Sequence, residues 1–387
     1  MKKYLWIILS FSFLWTNISC EKQSSGKYKV IRSSKYKKLI IESRKEIGFQ
    51  MFSSDIQGLA LAVYHHNELV WSEGMGYANK ELNVPVRPDT KFRIGGVSKL
   101  FTGTLLAQMV ADGEFDLKTP VRQYYPELPA DKDSITFYHL ASHSSGLRPP
   151  SFNESTNQGY QTMRKGISVF IEDSLLFQPG SYFYETDYGY DLIGAAIERK
   201  TGKFFHQVLK EKLVDTLKLE TTEADHPIAV IENRSQCYER NLIAKTVRAT
   251  TVDNRHRAAS IGLLSSAVDM AALMNEFLHP TLLKEEVVKK IINPMTLTNG
   301  IQLDSGLGLY VGKDNRGHEL YMASGSTKGG SAAVIAYPKM DLVVAVVCNQ
   351  GDENENLLVF KIAGKFIELT EPPHTENEKE QQNKPTQ

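Results

Sequence analysis

The chain has little of what marks a disulfide-stapled, metal-bound or nucleic-acid-binding protein. It holds three cysteines in 387 residues. That is too few for a disulfide framework, and no Cys-x-x-Cys pair occurs. Cys237 and Cys348 are interior, and Cys348 ends the apolar run Leu342-Val343-Val344-Ala345-Val346-Val347, which predicts a buried strand thiol. The histidines are scattered, so no metal site is predicted, and no cofactor either. Gly95 and Gly96 lack the Gly-Lys-Ser/Thr order of a phosphate-binding loop. Net charge is zero, 45 basic against 45 acidic residues, which removes the electrostatic footprint of nucleic-acid binding. No apolar stretch reaches membrane-spanning length. The one at the start, Tyr4 to Trp15, covers twelve residues, against the roughly 20 that a spanning helix needs.

That stretch follows Lys2 and Lys3 and has the form of a signal segment, residues 1–19. It ends in Asn17-Ile18-Ser19-Cys20, which resembles a bacterial lipobox with Cys20 as the lipidated residue; ordinary secretory cleavage with Cys20 incidental is the alternative. An exported envelope lipoprotein is expected, periplasmic or on the outer surface, held to the membrane through Cys20. Residues 20–45 are read as anchor, basic linker and entry to the first helix. Between 21 and 45, nine Lys or Arg stand against Glu21 and Glu42; the run either lies against anionic lipid or is a solvated linker. Residues 371–387 carry no aliphatic or aromatic side chain and read as a disordered tail.

Two apolar runs, Leu59 to Val63 and Leu69 to Trp71, flank His65-His66-Asn67 and predict a hairpin. Ser331 to Tyr337 and Leu342 to Cys348 predict a second, joined by Pro338 to Asp341. Between them the spacing turns helical: Leu100, Leu105, Leu106, Met109 and Val110; then Leu192, Ile193, Ala196 and Ile197 before Gly202; then Met270, Leu273, Met274 and Phe277. The expectation is an α/β (α+β) domain over residues 46–370. Its sheet lobe covers about 46–95 and 300–370, an antiparallel sheet from both ends of the chain flanked by helices. The inserted helical lobe covers about 96–299, with a ligand cleft between the two.

Three segments carry candidate chemistry. Phe92-Arg93-Ile94-Gly95-Gly96-Val97-Ser98-Lys99 leads into the first long helix, Tyr184-Glu185-Thr186-Asp187 precedes the second, and Ala323-Ser324-Gly325-Ser326 precedes the last strands. In order and spacing they resemble the Ser-x-x-Lys, Tyr-x-Asn and Lys-Thr-Gly or His-x-Gly motifs of serine β-lactamases, penicillin-binding proteins and related peptidases. The resemblance covers about residues 50 to 365, and His139 to Leu147 and Ser260 to Asp269 add to it. It implies a β-lactamase/transpeptidase-like fold. In that family the lysine, one helical turn from the serine, takes its proton. Carried over, Gly96 occupies the nucleophile position with the serine lost, while Lys99 and Tyr184 are retained. Thr186 replaces the asparagine, and Ala323 the basic residue. Ser324, Gly325 and Ser326 line the substrate strand. Ser98, about 200° round the helix from residue 96, points elsewhere, and His143 is a structural hydrogen-bonding residue.

Two functions follow. One is a binder of peptide-like or cell-wall-like amides, with the acylation step lost at Gly96. The other is an active peptidase, esterase or β-lactamase-like hydrolase, if serine naturally stands at 96 or if water attacks in its place.

Overall fold

The computed structural model describes residues 27–151, 154, 160–241, 243, 245–351 and 354–369. Cys20, the signal segment and the tail lie outside the described residues. The chain enters through β1 (Ile31–Arg32) and α1 (Lys37–Ser53), then forms β2 (Gly58–His65), β3 (Glu68–Asn79) and β4 (Val84–Pro85). The helical lobe follows with β5 (Phe92–Arg93), α2 (Ser98–Ala111), α3 (Phe137–Ala141), α4 (Met163–Ile167), α5 (Asp187–Thr201) and α6 (Phe205–Leu209). It continues through β6 (Glu223–Ala224), β7 (Tyr238–Arg240), β8 (Thr246–Arg248), β9 (Leu263–Ser265), α7 (Ala267–Leu278) and α8 (Glu285–Ile292). The return is β10 (Tyr310–Lys313), β11 (Glu319–Thr327), β12 (Gly330–Tyr337), β13 (Leu342–Cys348) and α9 (Asn354–Ile367).

The expected sheet is present, antiparallel in the order β1-β3-β2-β13-β12-β11-β10, with β4 added on β3. Both hairpins are there. His66 and Asn67 have φ of 54° and 59°, the left-handed pair that a two-residue hairpin loop requires. β13 shows why its sequence is apolar without alternation. Leu342, Val344, Val346 and Cys348 face one core, and Val343, Ala345 and Val347 face the other. A strand covered on both faces has no polar side to display.

The first of those cores packs α1 and α9 on the outer face of the sheet, through Leu39, Ile40 and Ile47 and through Ile362 and Phe366. The boundary expected at residues 45/46 therefore falls inside α1, a helix already committed to the core by Leu39 and Ile40. The second core joins Ala60, Ala62 and Val334 to Met270 and Met274 of α7 and to α2, and α2 is buried almost all round. α5 starts on the Thr186 side chain as N-cap and ends at Gly202 with φ 69°, both as its residue types dictate. Cys348 is buried at the end of β13, as expected, and Cys237 is partly buried. Among the described residues, no helix is long and apolar enough to cross a membrane.

Candidate functional site

The site forms where α2 begins against β11. A short 3-10 turn, Gly95 to Val97, delivers the chain into α2 and touches β11 backbone to backbone. Gly95 has φ 51°, and a Cβ on it would lie 2.6 Å from the Ser326 carbonyl carbon. A Cβ on Gly96 would come within 2.9 Å of the Ser324 oxygen, and one on Gly325 within 2.2 Å of the Gly96 nitrogen. The structure thus brings Gly96, Lys99, Ser324, Gly325 and Ser326 together. Ser98 turns away, its Oγ accepting from Leu263 N at 3.2 Å.

Lys99 is buried, and its Nζ donates to Glu185 Oε1 at 3.0 Å and lies 2.9 Å from Asp187 Oδ1. Asp187 also binds the buried Arg257, whose Nε lies 3.8 Å from Asp191 Oδ2. Burial alone would depress Lys99, but Asp187 and Glu185 outweigh it and hold the ammonium above the ordinary lysine range. Burial likewise opposes ionisation of Asp187, yet Lys99 and Arg257 keep its pKa below the usual carboxylate value. Lys99 lowers Glu185 in the same way. Deeper in, burial pushes Asp191 up to about 7 against the pull of Arg257, and its Oδ1 has no hydrogen-bond partner among the described residues.

This arrangement corrects the reading of the second motif. Tyr184 is 45% exposed; its backbone N–H donates to His143 O at 2.9 Å, while the Lys99 Nζ is taken by Glu185 and Asp187. Thr186 is buried as the cap of α5, with Oγ1 donating to Arg148 O at 2.8 Å and accepting from Tyr188 N at 3.2 Å. The tripeptide in register with Lys99 is Glu185-Thr186-Asp187, one residue later. Carboxylates therefore stand at both ends of it, where the family motif has tyrosine and asparagine. Thr186 as N-cap was the signal for the correct register, because it fixes where α5 starts. The tyrosines at 182, 184, 188 and 190 drew attention to the wrong residue.

His143 secures this segment. Its Nδ1 accepts from Thr186 N at 3.3 Å, which places the ring proton on Nε2. Burial, with Lys99 nearby, pushes its pKa down to about 4, so the ring is neutral. His139, four residues earlier, is occupied as the α3 cap, its Nδ1 accepting from Thr136 N. The two are not a ligand pair, and the described residues contain no group of three that could hold a metal ion.

Ala323 faces the core between the lobes, so no cation rises from that position. Lys328 lies with Glu239 at 3.3 Å, away from Lys99. Above these residues opens an interlobe cleft of about 710 Å³, lined by Asp187, Arg257, Ser326, Thr327, Lys328 and Gln350. It offers the Asp187 carboxylate, the Arg257 guanidinium and the hydroxyl and backbone groups at the end of β11; Lys99 reaches it through Asp187, and residue 96 carries no nucleophilic atom. Sequence reading had missed Glu185, Asp187, Arg257 and Asp191.

An antiparallel sheet from both chain ends, a helical insertion and a lysine in the first turn of the first cleft helix define the serine β-lactamase and penicillin-binding class. The chain belongs to the Beta-lactamase family, which it matches over residues 40–359. It is similar to the mouse serine beta-lactamase-like protein LACTB, mitochondrial, 25% identical over an alignment covering 80% of this chain and 77% of the relative. Two solved structures share the fold. The octameric penicillin-binding protein homologue from Pyrococcus abyssi has a TM-score of 0.76 at 21% identity, covering 87% of this chain and 79% of that one. FmtA from Staphylococcus aureus has a TM-score of 0.75 at 21% identity, covering 90% and 92%.

Proposed function

We propose that this chain is a non-acylating member of its family, an envelope lipoprotein that binds peptide-like or cell-wall-like amides in the interlobe cleft. One observation carries the reading: Lys99 is clamped as an ammonium between Glu185 and Asp187, next to a residue without a hydroxyl. Serine acyl transfer needs an oxygen to attack and an uncharged lysine to take its proton. Gly96 removes the first, and the two carboxylates deny the second. Loss of the nucleophile alone costs roughly 10⁶ in turnover in the well-studied serine protease case.

The cleft offers what binding requires: a volume of about 710 Å³ between the lobes, backbone groups on β11 and the Ser326 and Thr327 hydroxyls. The relatives named as penicillin-binding proteins make a wall-derived peptide amide the natural class to try first. The export and anchoring part of the proposal rests on the Lys2 to Cys20 segment.

The test is covalent labelling with a fluorescent penicillin and a fluorophosphonate, alongside binding of a D-alanyl-D-alanine peptide by calorimetry. The chain should bind the peptide and take no label. Labelling that maps to residues 90–105 would establish an acylating hydrolase and end this reading.

A further inference from the structure

The outward face of α1 is not explained by the fold or by the cleft. Leu39, Ile40, Ser43 and Ile47 point into the core. On the opposite side Lys38, Ile41, Lys45, Phe49 and Phe52 follow one another at steps of three or four, so they form a single stripe. Phe49 is 69% exposed and Phe52 86%. Lone apolar side chains at a surface need no explanation, but two phenylalanines and an isoleucine in one row with lysines do.

The charge on this face is net positive. Lys37, Lys38 and Lys45 form no ion pair among the described residues, and Glu42 is the single acid in the stripe. Glu46, at its margin, is taken by Lys361 and Lys365 of α9. The cores of protein–protein interfaces are depleted in lysine. An apolar strip edged with lysines suits a different surface, the boundary between anionic head groups and acyl chains, where rings insert and lysine stems lie along the surface with their ammonium groups among the phosphates.

The position in the chain keeps a bilayer within reach. Lys27 is pinned to the domain, its N–H donating to Asp89 Oδ2 at 3.0 Å and its Nζ to Glu220 O at 2.9 Å. Six residues stand between it and Cys20, and the seven steps reach about 25 Å at full extension. A lipid on Cys20 would therefore hold the whole domain close to the bilayer.

We infer that the Ile41–Phe49–Phe52 face of α1, with Lys38 and Lys45, docks on an anionic lipid bilayer and sets the orientation of the domain on the membrane. This builds on the proposed lipid anchor, since one acyl anchor and one basic patch hold a protein where either alone is marginal.

The test uses the chain from residue 20 onward with Cys20→Ser, made without a signal segment and so without lipid. It should sediment with vesicles of phosphatidylcholine and phosphatidylglycerol, in a salt-reversible way, and stay free of pure phosphatidylcholine vesicles. Phe49→Ser with Phe52→Ser should weaken binding about tenfold or more, and Lys38→Gln or Lys45→Gln about fivefold each. All four side chains are exposed, so the melting temperatures should match the parent. No binding to anionic vesicles, or equal binding by every variant, overturns the inference. So does dimerisation lost in the phenylalanine variants with no vesicle binding, which would assign the face to a second copy. Palmitate labelling of the full chain reads the anchor separately: its absence sinks the lipoprotein reading and leaves the vesicle result standing.

Discussion

Lys99 Nζ stands 2.9 Å from Asp187 Oδ1, and Asp187 is shared with the buried Arg257, so one carboxylate holds two cations. The first consequence is a lysine that stays charged. Lysine-selective nitrogen NMR should place the Lys99 ammonium titration above the ordinary lysine range, with no step between pH 6 and 9. In Glu185→Tyr with Asp187→Asn, burial remains and both counter-charges go, so the same titration should move below the ordinary value. A Lys99 that titrates near neutrality in the parent chain would restore it as a candidate base.

The two carboxylates should differ in what they contribute to stability. Asp187 is 23% exposed and stands between two cations, and Asp187→Asn leaves both short of a partner. Breaking a largely buried pair in this way costs up to about 3 kcal/mol. The Glu185 side chain is 67% exposed, and water takes over much of its role, so Glu185→Gln should cost about 1 kcal/mol or less. Urea unfolding of the two variants, side by side, measures the contrast. Equal losses would mean that the cluster is solvated throughout.

How much of this was legible beforehand follows the range of each signal. The two hairpins and α2, α5 and α7 were readable because periodicity and turn residues are local. The frame around Lys99 was readable because three residues of one turn stand in line. The clamp was not, because Glu185, Asp187 and Arg257 meet from segments up to 158 residues from Lys99, and local sequence carries no record of that meeting. The tyrosine in the second motif was misplaced by one residue for a local reason. In an extended segment a one-residue shift turns every side chain to the other face, so the error exchanged Tyr184 and Thr186 for the two carboxylates that matter.

Two buried groups should give opposed pH dependences. Asp191 is raised to about 7 by burial. Below about pH 4 its carboxyl is neutral in folded and unfolded chains alike. Between there and pH 7 only the unfolded chain releases the proton, so stability falls as pH rises, by of order 4 kcal/mol in total. His143 is lowered to about 4. From about pH 6.5 downward the unfolded chain gains a proton that the folded one refuses, so stability falls as pH drops. Asp191→Asn should therefore gain on the parent as pH rises towards 8, and His143→Gln should gain on it as pH drops towards 4. Unfolding curves at about pH 4.5, 6 and 8 would show it, and parallel pH profiles for parent and variants would count against both assignments.

A hydroxyl placed at residue 96 should not by itself bring acylation. In Gly96→Ser the new Cβ meets the Ser324 carbonyl oxygen at 2.9 Å, a backbone atom that yields only if β11 or the turn moves. Overpacking of this kind costs about 1–3 kcal/mol. Gly96→Ala should lose the same stability, which separates the steric cost from anything the hydroxyl does. The serine variant should take no penicillin or fluorophosphonate label, because Lys99 is still an ammonium between Glu185 and Asp187. Label should enter only when Gly96→Ser is combined with Glu185→Tyr and Asp187→Asn, which frees the lysine and supplies a phenol beside it. If Gly96→Ser alone labels at a rate near that of the triple variant, the clamp is irrelevant to acylation and only the side chain at residue 96 decides it.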